Sequence, residues 1–161
     1  MTVTLVVVDA ALEPAVLKLR PLPEQARYSG VPTDTLPPAL ADPGREPIAI
    51  LDEGVPVGFF ILDRDPVFAA VARAPDTLGV RAFFVDREHQ GRGVGTAALR
   101  LLPEFVAARH PDARHLALTV NVANPVAVRA YTRAGFRDTG RLDHSGAYGP
   151  QHILVLALAS R

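Results

Sequence analysis

Apolar positions along this chain follow two spacings in turn, and each change of spacing marks the boundary of an element. Val3 to Val8 is a β-branched run that reads as a strand. Ala10 to Leu19 follows with Leu12, Val16 and Leu19 at helical spacing, and Pro14 falls in its first turn, where a missing N–H is tolerated. Pro21 to Pro47 shows only weak periodicity, in Leu22, Tyr28, Val31, Leu36 and Leu40, and predicts a short helix and a loop. Ile48 to Leu51 and Val55 to Leu62 flank Asp52-Glu53-Gly54, a hairpin signature with glycine available for positive φ. A second breaker-rich segment, Asp63 to Asp76, leads to Leu78 to Val85, an apolar strand interrupted by Arg81.

The period then lengthens. After Gly93-Val94-Gly95 the apolar set Val94, Ala97, Ala98, Leu101, Leu102, Phe105 and Val106 recurs at three and four, an amphipathic helix directed toward His110. Pro103 sits inside it, which costs about 3 kcal/mol in a helix interior and predicts a kink or an earlier end. Leu116 to Val120 reads as a strand. Asn124-Pro125 opens another helix as N-cap and first-turn proline, and Gly135 closes it. Phe136 to Leu142 and Gln151 to Leu158 complete a sheet as an antiparallel pair joined by Asp143 to Pro150.

A chain of 161 residues buries roughly two thirds of its unfolded surface as one domain, so a single domain over residues 1–161 is expected. The absence of cysteine excludes disulfides, thiolate nucleophiles and cysteine metal sites. Met1 to Val8 has no basic flank, and its apolar run stops at Asp9, so neither a signal peptide nor a membrane span is encoded there. A cytoplasmic location follows as the default, with neither a nucleic-acid nor a membrane partner expected and a homodimer allowed. Net charge is zero but unevenly spread. Residues 1–80 hold eleven acidic and six basic residues, net −5, and residues 81–161 hold six and eleven, net +5. That split suggests a C-terminal half that handles an anion and an N-terminal half that tolerates a cation.

The segment Gln90-Gly91-Arg92-Gly93-Val94-Gly95-Thr96 carries the clearest chemistry. It lies after a strand and opens a helix, so glycines permit close backbone approach while the helix start offers unpaired N–H groups and a positive dipole end. Such a segment cradles phosphate. Each anion contact of this type is worth only about 0.3 to 2 kcal/mol, so Arg92 and several N–H donors must act together on a pyrophosphate. A purely structural turn would also use glycine here. A Walker loop is excluded because the segment lacks Gly-Lys-Ser/Thr. Gly93-Val94-Gly95-Thr96-Ala97-Ala98 matches the dinucleotide pattern, but Asp86 to Gln90 separate it from the strand, and the next strand ends at Thr119-Val120-Asn121 without the ribose acid.

Taken together, Gln90-x-x-Gly93-x-Gly95, preceded by Phe83-Phe84-Val85-Asp86 and followed by Asn124, Ala127, Tyr131, Gly135 and Phe136, resembles the acetyl-coenzyme-A signature of the GNAT superfamily of N-acetyltransferases. The likeness covers residues 78 to 137. Gln25, Leu36 to Leu40 and the spacing near Asn124 are also similar to bacterial spermine/spermidine-type acetyltransferases. The resemblance implies a mixed α/β fold: a twisted, mostly antiparallel sheet with a central splayed parallel pair, flanked by helices. It further implies that Gln90, Gly91, Arg92, Gly93, Val94, Gly95 and Thr96 wrap the pyrophosphate of acetyl-coenzyme A, with no metal. Phe83, Phe84 and Val85 would follow the pantetheine arm, the backbone of Phe83 and Val85 pairing with it like an added strand. Asn124 would contact the same arm or simply cap its helix, and Tyr131 matches the position that protonates the departing thiolate.

These residue types suit the reaction. A primary amine near pKa 10.4 is costly to deprotonate at pH 7, roughly 4.6 kcal/mol, so a base or water chain helps. A thiolate leaving group resembles Cys near 8.5, and a tyrosine near 10 stays protonated beside it as a donor. The Val85 backbone N–H is the candidate donor to the thioester oxygen. Some family members carry a Glu six residues before the position of Val85; this chain has Gly79 there. Asp76, Glu53, Asp143, His144 and Tyr148 are the remaining candidates, each also an ordinary loop residue. His89, His110, His115 and His152 have no ligand spacing. Three functions are therefore in play: acetyl transfer to a small cationic amine, acetyl transfer to a protein amine, and a noncatalytic acyl-coenzyme-A sensor.

Overall fold

The computed structural model describes residues 1–159; the last two positions of the expected 1–161 domain lie outside the described residues. Its elements are β1 (Val3–Val7), α1 (Glu13–Leu17), α2 (Pro23–Ser29), α3 (Pro32–Ala41), β2 (Arg45–Asp52), β3 (Val55–Asp63), α4 (Pro66–Ala72), β4 (Thr77–Val85), α5 (Val94–Arg109), β5 (His115–Asn121), α6 (Pro125–Arg133), β6 (Arg137–Asp143) and β7 (Gln151–Ala157), with a 3₁₀ turn at Arg87–His89. The strands order as β1-β2-β3-β4-β5-β7-β6 in a mostly antiparallel sheet in which β4 and β5 are parallel, and helices flank it. This is the fold class expected from the sequence. No helix among the described residues is long and apolar enough to cross a membrane.

Residues group into two compact units, Met1–Asp63 with Val80–Leu102, and Arg64–Gly79 with Pro103–Arg161. In the first, β1, β2 and β3 form an antiparallel meander. Glu53 and Gly54 both have positive φ, 49° and 83°, as a two-residue hairpin turn of the mirror-image kind requires. Asp52 and Val55 close the ladder. One face of this sheet contributes Ala49, Leu51, Phe59, Ile61 and Phe84 to a core completed by Val8, Val16 and Leu19 at the N-terminal end and by Leu36 and Ala39 of α3. On α5, Val94, Ala98, Leu99 and Leu102 are buried.

The segment 21–47 is more helical than its composition suggested: instead of a short helix and a loop it holds α2 and α3 and the first residues of β2. Asp63 to Asp76 likewise contains α4, with Asp65 capping its first turn by accepting from the Val67 N–H at 2.9 Å. The reason is the same in both cases. Proline occupies the first turn of α1, α2, α3, α4 and α6, where its fixed φ starts a helix rather than breaking one. The N-terminal helix is shorter than the expected Ala10 to Leu19, because Asp9 forms a turn of its own by accepting from Leu12 N–H. The helix α5 runs through Pro103 to Arg109, and the boundary between the units falls at that proline.

In the second unit, β5, β7 and β6 are antiparallel, and the start of β4 pairs with β5 in parallel through Thr77, Leu78 and Gly79 against His115, Leu116 and Ala117. Phe68 and Ala72 of α4 pack with Ala117. Asn124 caps α6, as expected, by accepting from Ala127 N–H at 3.4 Å. Gly135, at φ 105°, lies just past the helix end. There Phe136 N–H reaches the Tyr131 carbonyl and Gly135 N–H the Thr132 carbonyl, the paired bonds of a Schellman stop.

Candidate functional site

The glycine-rich segment occupies the turn between β4 and α5 in the first unit. Its left-handed positions are Gly91 at φ 76° and Gly93 at φ 81°, conformations that an L side chain resists. Ala97 N–H makes its helical bond to the Gly93 carbonyl at 3.0 Å. The N–H groups of Gly93, Val94, Gly95 and Thr96 therefore precede the first helical donor and have no partner within α5. No heavy atom comes within 4 Å of where a Cβ on Gly91 would stand, and at Gly93 only the Met1 side-chain tip does, at 3.9 Å. Backbone donors without a helical partner, an open surface over Gly91 and the dipole of a helix of 16 residues suit a phosphate oxygen. Val94 itself is 1% exposed, so its side chain is part of the core and offers nothing to a ligand.

Two side chains brace this turn. Gln90 donates one amide proton to the Val85 carbonyl at 2.9 Å and the other to Gln25 Oε1 of α2 at 3.0 Å. Arg92 sets a guanidinium nitrogen 2.9 Å from Asp52 Oδ2 at the end of β2. Just upstream, Asp86 accepts from Arg20 N–H at 2.8 Å, and Arg87 N–H reaches the Arg20 carbonyl at 2.8 Å. The chain entering the glycines is thus fastened to the segment that joins α1 to α2.

Along β4, Phe84 packs into the core beside Phe59, ring centroids 6.3 Å apart, while Phe83 stacks on Phe60 at 5.6 Å. Phe84 can therefore meet a ligand only through its backbone, and the Val85 carbonyl already accepts the Gln90 amide. Sequence reasoning missed Ala82. Its φ of 58° lies in the left-handed region, which is uncommon for a residue with a Cβ and locally bends a strand. No glycine or proline marks the position. On β3, Gly58 allows a close approach to β4: a Cβ there would stand 2.9 Å from the Phe84 carbonyl oxygen.

Asn124 and Tyr131 lie in the second unit. Tyr131 is half-buried, and its ring meets Phe136 edge-on at 5.7 Å and 71°. Burial raises the pKa of its hydroxyl above the ordinary 10.0, so the group keeps its proton at neutral pH and is able to donate a hydrogen bond. Gly79 explains its own lack of a carboxylate, because a Cβ built there would collide with the Phe68 ring. Among the alternative bases, the side chains of Asp76 and Asp143 have partners, while Glu53 and Tyr148 are held through their backbones. Asp76 is 3.7 Å from Arg114, Asp143 accepts from Ser145 N–H and Oγ, Glu53 forms the hairpin turn, and the Tyr148 carbonyl accepts from Asn121. His89 contacts Asp86, His110 contacts Arg64, His115 the Pro75 carbonyl and His152 Asp138.

Comparison with known proteins identifies the family. The sequence profile described as the Acetyltransferase (GNAT) family matches residues 14–136. The uncharacterized N-acetyltransferase YbbJ of Bacillus subtilis is 34% identical over 132 residues, 81% of this chain and 82% of that protein. A spermine/spermidine N(1)-acetyltransferase of Bacillus subtilis is 29% identical over 101 residues, 63% of this chain and 65% of that protein. Among solved structures, AAC(6')-Ib in complex with paromomycin and acetyl-coenzyme A superposes with a TM-score of 0.75 at 19% identity, covering 98% of this chain and 94% of that one. Spermidine N-acetyltransferase from Vibrio cholerae, in complex with coenzyme A and spermine, gives 0.72 at 16% identity over 96% and 95%. At such identities the superpositions establish the shared fold.

Proposed function

This chain belongs to the GNAT family of acetyltransferases, and we propose that it moves the acetyl group of acetyl-coenzyme A to a primary amine of a small cationic acceptor by direct attack in a ternary complex. One observation carries the reading: in the turn that leads from β4 into α5, two glycines at positive φ precede the N–H groups that have no helical partner at the start of a helix of 16 residues. The donor set fits a diphosphate, which wants several converging N–H groups and a guanidinium. Use of the acetyl-coenzyme-A cosubstrate follows the family and the acetyl-coenzyme-A and coenzyme-A complexes of its structural neighbours.

In this reading Gln90, Gly91, Arg92, Gly93, Val94, Gly95 and Thr96 hold the pyrophosphate. The backbone of Phe83, Phe84 and Val85 lines the pantetheine, and Asn124 contacts the same arm while capping α6. Acetyl-coenzyme A supplies the thioester that the amine attacks. Tyr131 donates a hydrogen bond to the sulfur as it gains charge. Free groups at 10 and 8.5 already make complete proton transfer to the thiolate unfavourable by about 2 kcal/mol, and the raised pKa of Tyr131 widens that gap. The tyrosine therefore stabilises developing charge, and the final proton comes from solvent. With Phe68 against Gly79, no side-chain base acts from that position on β4, so the amine arrives deprotonated through water.

The polyamine-type relatives support a cationic acceptor over a peptide. The test is a radiolabelled acetyl-coenzyme-A assay against a panel of polyamines, aminoglycosides, amino acids and a histone-like peptide. Spermidine-like amines are expected to exceed monoamines in kcat/KM. Labelling of the peptide alone would favour the protein-amine alternative, and cofactor binding with no turnover on any amine would favour the sensor.

A further inference from the structure

Arg92 sits between two glycines in left-handed conformation, the arrangement with the most backbone freedom to lose on ordering. Its side chain is about half exposed, yet it reaches Asp52, whose side chain is only 8% exposed. Asp52 is itself fixed on two sides. Oδ1 accepts from the Thr2 backbone N–H at 3.0 Å and Oδ2 from Arg92 at 2.9 Å. Its backbone pairs with Val3 of β1 and Val55 of β3, and the neighbouring Glu53 N–H bonds to the Thr2 carbonyl at 2.9 Å. The rigid end of a three-stranded meander thereby grips the middle of an otherwise loose Gly-Arg-Gly turn.

We propose that Asp52 is a positioning residue for cofactor binding: it holds Arg92, and through it the Gly91–Gly93 turn, in the anion-receiving conformation before acetyl-coenzyme A arrives. A guanidinium carries five N–H donors, and the contact with Asp52 Oδ2 engages one nitrogen, so the remaining donors can serve phosphate while the bond to Asp52 persists. Ordering the side chain in advance removes part of the entropy loss from the binding step. The proposal rests on the assignment of Gln90 to Thr96 as the phosphate loop.

The experiment is a double-mutant cycle on the full chain, with coenzyme A as the calorimetric probe and hydrogen exchange of residues 91–93 measured without ligand. Asp52→Asn keeps an oxygen for Thr2 but loses the charge. It should weaken coenzyme A by about two- to tenfold, the range for releasing one rotamer-rich side chain, raise KM for acetyl-coenzyme A without a matching fall in kcat, and speed exchange at 91–93. Arg92→Ala should weaken binding at least as much, and adding Asp52→Asn to it should change nothing further. Unchanged affinity in Asp52→Asn, tighter binding, or additive losses in the double variant would each overturn the proposal; tighter binding would mean that Asp52 competes with phosphate for Arg92. Should Asp52→Asn not fold, Arg92→Lys probes the bond from its exposed side and should likewise speed exchange at 91–93. A wild-type chain that fails to bind coenzyme A would defeat the proposed function, and the exchange measurement would still decide whether the bond to Asp52 orders the turn.

Discussion

Replacing Gly79 by alanine adds one carbon, and the structure says where it goes. The new Cβ would collide with the Phe68 ring. That ring is 7% exposed and packs with Ala72 and Ala117, and Ala117 is the ladder partner of Gly79 across the β4–β5 pair. Retreat is blocked, because Asp65 caps α4 at one end and Arg141 donates to the Val71 carbonyl near the other at 2.7 Å. Overpacking of this kind costs about 1 to 3 kcal/mol. Alanine recovers about 0.5 to 1 kcal/mol relative to glycine within a strand. At the middle of both ranges the net loss is about 1 kcal/mol, which lowers Tm by roughly 2 to 4 °C for a chain of this size. The assay is urea or thermal unfolding of Gly79→Ala, Phe68→Leu and the pair. In the Phe68→Leu background the alanine should be nearly neutral, giving a coupling of about 1 kcal/mol. Additive effects, within about 0.5 kcal/mol, would refute the contact and with it the explanation for the missing carboxylate. Gly79→Glu should lose more than Gly79→Ala, since a carboxylate would also leave water.

Gly93→Asp should abolish coenzyme A binding by calorimetry, through repulsion of phosphate and an unfavourable positive φ, while circular dichroism shows the apo fold retained. Tyr131→Phe should lower kcat by about a hundredfold to a thousandfold, the range for losing one donor to developing charge, with nearly unchanged affinity for acetyl-coenzyme A, and an unaltered, chemistry-limited turnover would reject the assignment. Because the folded pKa of Tyr131 is raised above 10.0, its contribution to stability is complete below about pH 10 and is lost as pH rises further; a kcat profile falling with a midpoint below pH 10 would have to come from another group. Glu53→Asn should stabilise the hairpin by about 0.5 to 1 kcal/mol, since Asn tolerates the φ of 49° better than Glu, and a lower unfolding midpoint would count against this turn type.

Several elements were legible because their signals are local. The Asp52-Glu53-Gly54 turn, the Asn124 cap and the Gly135 stop each depend on a few adjacent residues, and the structure has all three. Proline misled where its position within a helix mattered more than its presence. Pro23, Pro32 and Pro66 stand in first turns, and a tally of breakers cannot tell a first turn from a loop. The glycine cradle could be read because its spacing is tied to a helix start. Its braces could not, because Gln25 meets Gln90 across 65 positions and Asp52 meets Arg92 across 40. The strained Ala82 carries no sequence mark, since nothing in an alanine announces a positive φ.

The charge split along the chain illustrates why an acceptor is harder to read than a cofactor. Asp34, Asp42, Glu46, Asp52, Glu53, Asp63, Asp65 and Asp76 give the N-terminal half much of the negative charge that, in the sequence, suggests tolerance of a cation. In the structure most already serve the fold. Asp42 and Asp63 both pair with Arg45, Asp63 also pairs with Arg81 at 2.7 Å, Asp52 pairs with Arg92, Asp76 with Arg114, and Asp65 caps α4. Pairing cancels most of the field that a separate cation would feel, and what survives is screened over about 8 to 10 Å. Asp34 and Glu53 are exposed outside those pairs and caps, which makes them the carboxylates of that set best placed to attract an amine from solution. Selectivity for a polycation must then come from shape and hydrogen bonding at the acceptor more than from bulk charge. On that reasoning the advantage of spermidine over a monoamine should shrink only modestly between low and physiological salt, whereas steering by the whole half-chain would make it collapse.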